Sequence, residues 1–108
     1  MFKYQLTVGL NDKETKKQEI ATEEAKERII NILLNDFEIF AFTMFECSGN
    51  YKHDTGEIVN EKSIRIEIAT YKREKRIKEI TRKLCEEFNQ ESIMIERSIN
   101  LISFIKHS

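Results

Sequence analysis

Residues 63–69 read Ser-Ile-Arg-Ile-Glu-Ile-Ala, and residues 2–10 read Phe-Lys-Tyr-Gln-Leu-Thr-Val-Gly-Leu. In both stretches an apolar residue occupies every second position, and a polar or small residue lies between. This period-two alternation predicts two β-strands, each with one buried face and one polar face. The sheet that they form therefore needs other elements to cover its apolar side.

Helical periodicity follows each of these two strands. Residues 22–35 predict a helix that begins with Thr22 as a hydroxyl N-cap, followed by two glutamates where the helix dipole favours acids. Residues 72–88 carry apolar side chains at every third or fourth position and predict a second helix. We expect both helices to pack on the apolar side of the sheet.

Two further strands complete the predicted pattern. Residues 37–47 are rich in aromatic and β-preferring side chains and predict a strand that is apolar on both faces. Turn-forming residues follow at 48–50 and 54–56. A last strand is expected from Ser92, with a polar kink at residues 96–98 and a continuation over residues 99–105.

The predicted order is therefore β-α-β-β-α-β over one domain, residues 1–108. Two right-handed crossovers place both helices on the same face of the sheet. We predict an α+β, ferredoxin-like βαββαβ sandwich, with a four-stranded antiparallel sheet of order 4-1-3-2 and two helices on one face.

Composition excludes several classes of protein. No apolar run reaches 18 residues, so we expect no membrane span; the first five residues do not resemble a secretory signal. Two cysteines without a CxxC motif predict neither a disulfide framework nor zinc, and we expect no metal and no cofactor.

The net charge of −1 gives no general attraction to nucleic acid or membranes. These exclusions lead us to expect a soluble protein of the cytoplasm. Abundant isoleucine, lysine, glutamate and asparagine are typical of an A/T-rich bacterium or its phage, so the cytoplasm is that of the host if the protein is phage-encoded.

The predicted open face of the sheet has a polar centre formed by Gln5, Thr7, Arg65 and Glu67. The edge strands surround this centre with an apolar frame: Ile39, Ala41, Phe45, Met94 and Ile102. Because exposed apolar surface of this kind usually marks an interface, we expect two sheets to stack in a homodimer or higher homo-oligomer. The alternative is that loops or the last strand cover this face within one chain.

The polar centre carries no aromatic ring, so we expect no RNA binding on the sheet face. Residues 72–83 hold seven basic and two acidic residues at the start of the second predicted helix, where free N–H groups favour anions. Lys72, Arg73 and Arg76 are therefore either phosphate contacts or part of an ordinary solvated face. Without a Gly-rich phosphate loop, an NTPase is not expected.

His53 lies in a turn-rich segment, six residues after Cys47 and close to scattered carboxylates. This spacing matches a metal site weakly, and a Cys–His nucleophile pair has no third group to orient it. We interpret His53 as an exposed hairpin residue that contacts a ligand at most, and the adjacent Tyr51 as a stacking surface. His107, near the last residue, is expected to be exposed.

Several short motifs together resemble a known family. Residues 49–51 form a Gly-x-aromatic hairpin, residues 61–63 a Glu-x-Ser strand start, and residues 88–93 a Phe-x-Gln-Glu-Ser-hydrophobic turn; the Val-Gly-Leu of residues 8–10 is similar in style. Over residues 8–104 this pattern resembles an uncharacterised bacterial and phage family of small domains of unknown function. The chain has Tyr51 where a tryptophan is frequent, and we expect it to be without the secretion-type leader of some bacterial members. The resemblance implies an α+β fold and supplies no activity, cofactor or catalytic residue.

We therefore predict a non-enzymatic protein that sequesters a small anionic, nucleotide-like signal in a dimer. The candidate ligand contacts are Gln5, Thr7, Tyr51, His53, Arg65, Glu67, Lys72, Arg73 and Arg76. Two alternatives remain open. One is a protein-interaction module that inhibits a host factor through the apolar frame. The other is an enzyme resembling cofactor-free oxygenases of the dimeric α/β-barrel type, although the charged Arg65 and Glu67 are less suited to an apolar cavity.

Overall fold

The computed structural model of the chain describes residues 1–99 and 103–105. Its elements are β1 (Phe2–Gly9), α1 (Thr22–Asn31), β2 (Thr43–Lys52), β3 (Ile58–Thr70), α2 (Glu74–Glu87) and β4 (Met94–Ile99). The strands form one sheet of order β2-β3-β1-β4, and every neighbouring pair is antiparallel. The predicted ferredoxin-like α+β fold and its strand order are confirmed.

The core lies between one face of the sheet and both helices. The register pairs Leu6 with Ile66 and Val8 with Ile64, so the apolar residues of β1 and β3 lie on the same face. Fully buried helical residues pack against them: Ala25 and Ile29 from α1, and Ile77, Ile80 and Leu84 from α2. Each large side chain buried in this way stabilises the fold by about 1.5–3 kcal/mol. None of the described helices is both apolar enough and long enough to span a bilayer.

The ends of α1 differ from the prediction. Ala21, not Thr22, occupies the N-cap position, and the Thr22 hydroxyl instead accepts a hydrogen bond from Gln18 Nε2 at 3.0 Å. After Asn31 the helix widens into a π-helical turn, Ile32–Asp36. This turn keeps Ile32 and Leu33 buried in the core, so the predicted helix end near residue 35 is nearly correct.

The predicted strand over residues 37–47 is wrong in its position. β2 begins six residues later, at Thr43, because Glu38 has a positive φ of 56° that no strand accommodates. The chain before β2 instead covers the edge of the core. Ile39 is 4% exposed and its N–H donates to the Leu33 carbonyl at 2.8 Å, so Ile39 is not part of the open face.

The polar kink predicted at residues 96–98 is also wrong. Glu96, Arg97 and Ser98 continue β4 and pair with β1 without interruption. Arg97 faces the helices, where Nη1 donates to Glu74 Oε2 at 3.3 Å. The strand ends at Ile99, and residues 103–105 have no regular structure. Residues 100–102 of the predicted continuation, including Ile102, lie outside the described residues, as does His107.

β2 and β3 extend beyond the rest of the sheet. β1 pairs with β3 only from Ser63 to Thr70, whereas β2 and β3 pair out to Lys52 and Ile58. We call the two-stranded extension over residues 48–62 the arm. It contributes to the elongated shape of the molecule, 56 × 28 × 26 Å. A two-stranded ribbon is marginally stable alone, so the arm needs support from another surface.

Candidate functional site

The open face of the sheet carries the predicted polar centre. The register places Gln5 opposite Glu67 and Thr7 opposite Arg65, and all four residues are half-buried. Gln5 Nε2 donates to Glu67 Oε1 at 2.7 Å, and Lys3 Nζ lies 3.5 Å from Glu67 Oε2. Both oxygens of this carboxylate are therefore engaged within the chain, and the carboxylate holds the Gln5 amide in a fixed orientation.

The polar centre consists of two cross-strand pairs, and the second pair, Thr7 and Arg65, lacks hydrogen-bond partners. We call this pair the unpartnered row. Thr7 Oγ1 and Arg65 Nε are buried and form no hydrogen bond within the part of the chain that the structure describes. Within the same described residues, no carboxylate forms an ion pair with Arg65. A buried polar group without a partner costs about 1–3 kcal/mol. The row is thus able to accept a partner from outside the chain.

Apolar side chains flank this unpartnered row on both sides. Phe45 lies opposite Arg65 and is 45% exposed, and Met94 lies opposite Thr7 and is 54% exposed. At one end of the face, Ala41 and Phe104 line a hollow of about 200 Å³. Three of the five residues predicted for the apolar frame therefore lie at the surface as expected, whereas Ile39 is buried in the core.

A second hollow lies where the arm leaves the sheet, and we call it the arm-base pocket. It has a volume of about 300 Å³. Three segments meet there, namely the loop after β1, the arm and the turn after α2. Its lining residues are Asn11, Asp12, Lys13, Lys16, Tyr51, Glu61, Gln90, Glu91 and Ser92.

A chain of hydrogen bonds holds the arm-base pocket together. The Asn11 N–H donates to Glu61 Oε2 at 3.0 Å, and Gln90 Nε2 donates to the Asn11 carbonyl at 2.6 Å. Asn89 Nδ2 donates to Asp12 Oδ2 at 2.9 Å. These bonds tie residues separated by 50 to 79 positions in the sequence, so the pocket is a product of the folded chain.

The electrostatics of Asp12 follow from the same bonds. The hydrogen bond from the Asn89 side chain lowers the pKa of Asp12 below its ordinary value, and the backbone N–H groups of Thr15 and Glu14 lower it further. Because all three donors favour the charged form, Asp12 is a fixed carboxylate that anchors the loop after β1.

Glu61 lies directly on the backbone of β1. A Cβ atom added at Gly9 would be 2.7 Å from Glu61 Oε1, so only a glycine leaves room for this carboxylate. Sequence reasoning did not select Glu61 as a site residue. The signal was present in the Glu-x-Ser and Val-Gly-Leu motifs, but nothing in the sequence placed the two motifs together.

Tyr51 and His53 lie apart from the polar centre. Tyr51 pairs with Val59 in the arm, and Val59 is six positions from Arg65, about 20 Å along a strand. The two rings meet edge to face with centroids 5.4 Å apart, and His53 is exposed. Tyr51 lines the arm-base pocket, so it is placed to contact a ligand there.

Lys72, Arg73 and Arg76 form a third group at the start of α2, around a hollow of about 370 Å³. Arg76 Nη1 donates to Glu79 Oε2 at 3.0 Å, and its guanidinium lies 4.6 Å from the centre of the Phe37 ring. Because α2 covers the opposite face of the sheet, the sheet separates this group from the polar centre. The nine candidate residues thus form three separate groups within one chain.

Nothing in residues 1–99 and 103–105 assembles three or more metal-ligating side chains into a site. Cys47 lies in β2 opposite Ser63, whereas His53 lies in the hairpin turn beyond the end of β2. The chemistry that the described residues offer at these sites is therefore recognition, through hydrogen bonds, the half-buried guanidinium of Arg65 and the accessible ring of Tyr51.

Comparison with protein families gives one clear result. Residues 3–104 match the profile of a family described as "Protein of unknown function (DUF3574)". The predicted resemblance to an uncharacterised family of small domains is confirmed. A comparison with curated proteins gives no match.

Comparison with solved structures supports the fold. A phage SAM lyase in complex with S-methyl-5'-thioadenosine is 23% identical, covers 90% of this chain and 79% of its own, and has a TM-score of 0.68. CutA from Pyrococcus horikoshii is 19% identical, with coverages of 95% and 88% and a TM-score of 0.61. The PII-like protein CutA from Nostoc sp. is 14% identical, with coverages of 93% and 81% and a TM-score of 0.58. These similarities show a shared fold.

Proposed function

The chain belongs to the DUF3574 family of proteins of unknown function, and we propose that it is a homo-oligomeric binding protein. Two or more copies cover one another's open sheet face and hold a small anionic ligand of the nucleotide class against the polar centre. The protein sequesters this ligand and does not transform it. The cytoplasm, where such ligands are abundant, is its expected location.

The observation that carries this proposal is the unpartnered row formed by Thr7 and Arg65. A half-buried guanidinium without an ion pair attracts an anion, and the neighbouring Thr7 hydroxyl and Gln5 amide supply hydrogen bonds. Phosphate and carboxylate groups fit a guanidinium in the bidentate geometry that arginine favours. An anionic ligand therefore satisfies the groups that the chain leaves without partners.

The apolar side chains beside this row support the assembly. Phe45 and Met94 are about half exposed and lie on the same face as the polar centre. A second copy placed over this face removes both side chains from water and encloses the charged groups between two sheets. The net charge of −1 opposes such an association only weakly.

The similarity in fold supports the nucleoside class. The phage SAM lyase holds S-methyl-5'-thioadenosine, a nucleoside, so this fold is able to bind such a ligand. For this chain we therefore expect a nucleoside moiety to fit the site. The contact with the phosphate is expected from Arg65.

Ligand binding by an arginine variant tests the proposal. Wild-type protein, Arg65→Gln and Arg82→Gln are titrated by calorimetry with AMP, ADP, cyclic AMP and ribose 5-phosphate. Arg82 is an exposed residue of α2, so its variant is a control with the same charge change. We expect at least one nucleotide to bind, and Arg65→Gln to weaken binding about 10- to 100-fold, as the loss of a charge-assisted hydrogen bond predicts. Absence of binding to the wild type, or equal binding by Arg65→Gln, contradicts the proposal.

A second candidate function is cleavage of a sulfonium nucleoside such as S-adenosylmethionine. The specific observation is the TM-score of 0.68 to a phage SAM lyase over 90% of this chain. In such a reaction the carbon–sulfur bond to the amino-acid chain breaks and the sulfur keeps the electron pair, becoming a neutral thioether, while the substrate's own carboxylate oxygen bonds to the released carbon and closes a lactone. Incubation with S-adenosylmethionine, followed by chromatography, distinguishes the two functions. Formation of S-methyl-5'-thioadenosine favours the enzyme, whereas an unchanged nucleoside that remains bound favours the binding protein.

A further inference from the structure

We propose that the arm-base pocket recognises the ribose and base of the bound nucleotide, with Glu61 accepting hydrogen bonds from the ribose hydroxyls and Tyr51 stacking on the base. This inference rests on the proposed function and specifies its ligand as a ribonucleotide rather than a deoxyribonucleotide.

The geometry of Glu61 makes it suited to hydroxyl recognition. The Asn11 N–H donates to Glu61 Oε2 at 3.0 Å, and both carboxylate oxygens lie close to Gly9. Oε1 receives no hydrogen bond from the described residues. A half-buried carboxylate with one oxygen fixed and the other free is a pre-oriented acceptor. Carboxylates serve this role toward the ribose hydroxyls in dinucleotide-binding proteins.

The charges around the pocket favour the neutral part of a nucleotide. Its lining includes two lysines, Lys13 and Lys16, against three carboxylates, Asp12, Glu61 and Glu91. The pocket therefore has a small negative excess and does not attract a phosphate. Sugar hydroxyls, which donate hydrogen bonds, suit such a lining better than phosphate oxygens do.

The distance to the polar centre fits a single ligand. Glu61 and Arg65 are four positions apart on the same face of β3, about 13 Å along the strand. The long Arg65 side chain and the span from ribose to phosphate together cover this distance. The ligand then lies along β3, with its phosphate on Arg65 and its ribose on Glu61.

Tyr51 supplies the surface for the base. It is 45% exposed and lines the arm-base pocket, and His53 packs against it at a steep angle, so part of the Tyr51 ring is accessible to a ligand. Stacking of a base on an aromatic side chain contributes affinity with little dependence on the identity of the base. We therefore expect selectivity for the sugar and little selectivity for the base.

The motifs that carry the family resemblance converge on this pocket. They come from four separate segments, and the structure brings together Gly9, Tyr51, Glu61, Gln90 and Ser92 from them. Gly9 contributes the space for the carboxylate, and Gln90 holds the Asn11 carbonyl at 2.6 Å. The backbone N–H groups of Asn89 and Gln90 also close α2 by donating to the Glu86 and Cys85 carbonyls, whereas no helix end accounts for the contact of Glu61 with Gly9.

Two substitutions test the inference: one removes the charge of the Glu61 carboxylate, and the other, at the neighbouring Gly9, displaces this carboxylate. Calorimetry with AMP and 2'-deoxy-AMP is performed on the wild type, Glu61→Gln, Gly9→Ala and Gly49→Ala. The Cβ in Gly9→Ala displaces the Glu61 carboxylate, whereas Gly49 lies opposite Glu61 and a Cβ there meets no atom within 4 Å. Gly49→Ala is therefore a matched control.

We expect the wild type and Gly49→Ala to prefer AMP over 2'-deoxy-AMP by about tenfold or more, because the deoxy sugar leaves a carboxylate oxygen unpaired. In Glu61→Gln and Gly9→Ala this preference falls sharply. Gly9→Ala keeps the far-ultraviolet circular dichroism spectrum and the cooperative unfolding of the wild type, with a melting temperature lower by a few degrees because the Asn11 N–H loses its acceptor; this separates a displaced carboxylate from a damaged fold. Equal binding of both nucleotides by the wild type, or an unchanged preference in both variants, overturns the inference alone. Failure of the wild type to bind either nucleotide overturns the proposed function as well.

Discussion

Tyr4 is a residue in which burial and hydrogen bonding conflict. Its side chain is 1% exposed in the core, and its hydroxyl forms no hydrogen bond among the described residues. Because an unsatisfied buried hydroxyl costs about 1–3 kcal/mol, we expect Tyr4→Phe to leave the free energy of unfolding unchanged or to raise it by about 1 kcal/mol. Urea denaturation measures this change, with the exposed Tyr71→Phe as a control. A clear loss of stability in Tyr4→Phe alone would show that the hydroxyl has a partner.

Asp12 gives a prediction about pH. Its pKa is lowered from 3.8 in the folded protein, chiefly by the Asn89 side chain. A lowered folded-state pKa means that the contribution to stability is complete above about 3.8 and is lost as the pH falls through the lowered value. We expect a carbon-detected NMR titration to place the Asp12 midpoint below 3.8, and Asn89→Gly to move it upward.

Glycine is the appropriate replacement at position 89 because Asn89 has a positive φ of 46°, which alanine adopts with strain. The variant thus removes the side-chain donor and keeps the backbone. An Asp12 midpoint that does not move in Asn89→Gly contradicts the assigned cause.

Among the elements, β1 and β3 were predictable because their sequences allow one arrangement. Strict alternation over seven or more residues fixes which side is buried, and a shift by one residue would expose Ile64, Ile66 and Ile68 of β3. The observed pairing of Leu6 with Ile66 and of Val8 with Ile64 is therefore the arrangement that the alternation requires.

β2 could not be located in this way. Residues 37–47 are apolar at both odd and even positions, so no register is favoured by burial. The pairing with β3 determines where β2 begins and ends. This pairing includes polar residues, which a local apolar pattern does not identify as a strand. In the arm, for example, Asn60 Nδ2 donates to Asn50 Oδ1 at 3.0 Å.

Only the part of the candidate site that lies on one pair of neighbouring strands, β1 and β3, was predictable from the sequence. Gln5, Thr7, Arg65 and Glu67 were grouped because alternation puts them on one face. The contact of Glu61 with Gly9 depends on where the arm leaves the sheet, and that geometry comes from the relative lengths of β1 and β3. No local sequence pattern contains this information.

The arm provides a prediction at the scale of an element. An unsupported two-stranded ribbon opens easily, so we expect its amides to be protected from hydrogen exchange only when a second copy supports them. In Phe45→Glu, which places a charge on the open face, the amides of residues 48–52 and 58–62 should exchange at least about tenfold faster than in the wild type. Amides of residues 64–68, inside the sheet, should be unaffected.

Exchange measured by mass spectrometry distinguishes the outcomes. Rapid exchange of the arm in the wild type, or an arm that stays protected in Phe45→Glu, means that the arm does not depend on another copy.

At the scale of the whole molecule, the two faces of the sheet are unequal. Two helices bury the apolar centre of one face, including Leu6, Ile64 and Ile66, while the described residues leave the centre of the other uncovered. Phe45 and Met94 are exposed beside half-buried charged groups on that face, and the exposed Ile58 lies on the arm. A second copy accounts for these three features together, which is why the assembly is central to the proposed function.

The oligomeric state tests this account most directly. Multi-angle light scattering at micromolar concentration is applied to the wild type, Phe45→Glu and Phe40→Glu. Phe40 is 77% exposed in the connection before β2 and belongs to none of the strands of the sheet, so its variant controls for an added charge on an exposed phenylalanine. We predict that the wild type and Phe40→Glu are homo-oligomers and that Phe45→Glu is a folded monomer. A monomeric wild type, or a Phe45→Glu variant with the mass of the wild-type oligomer, would contradict the assembly through the open face.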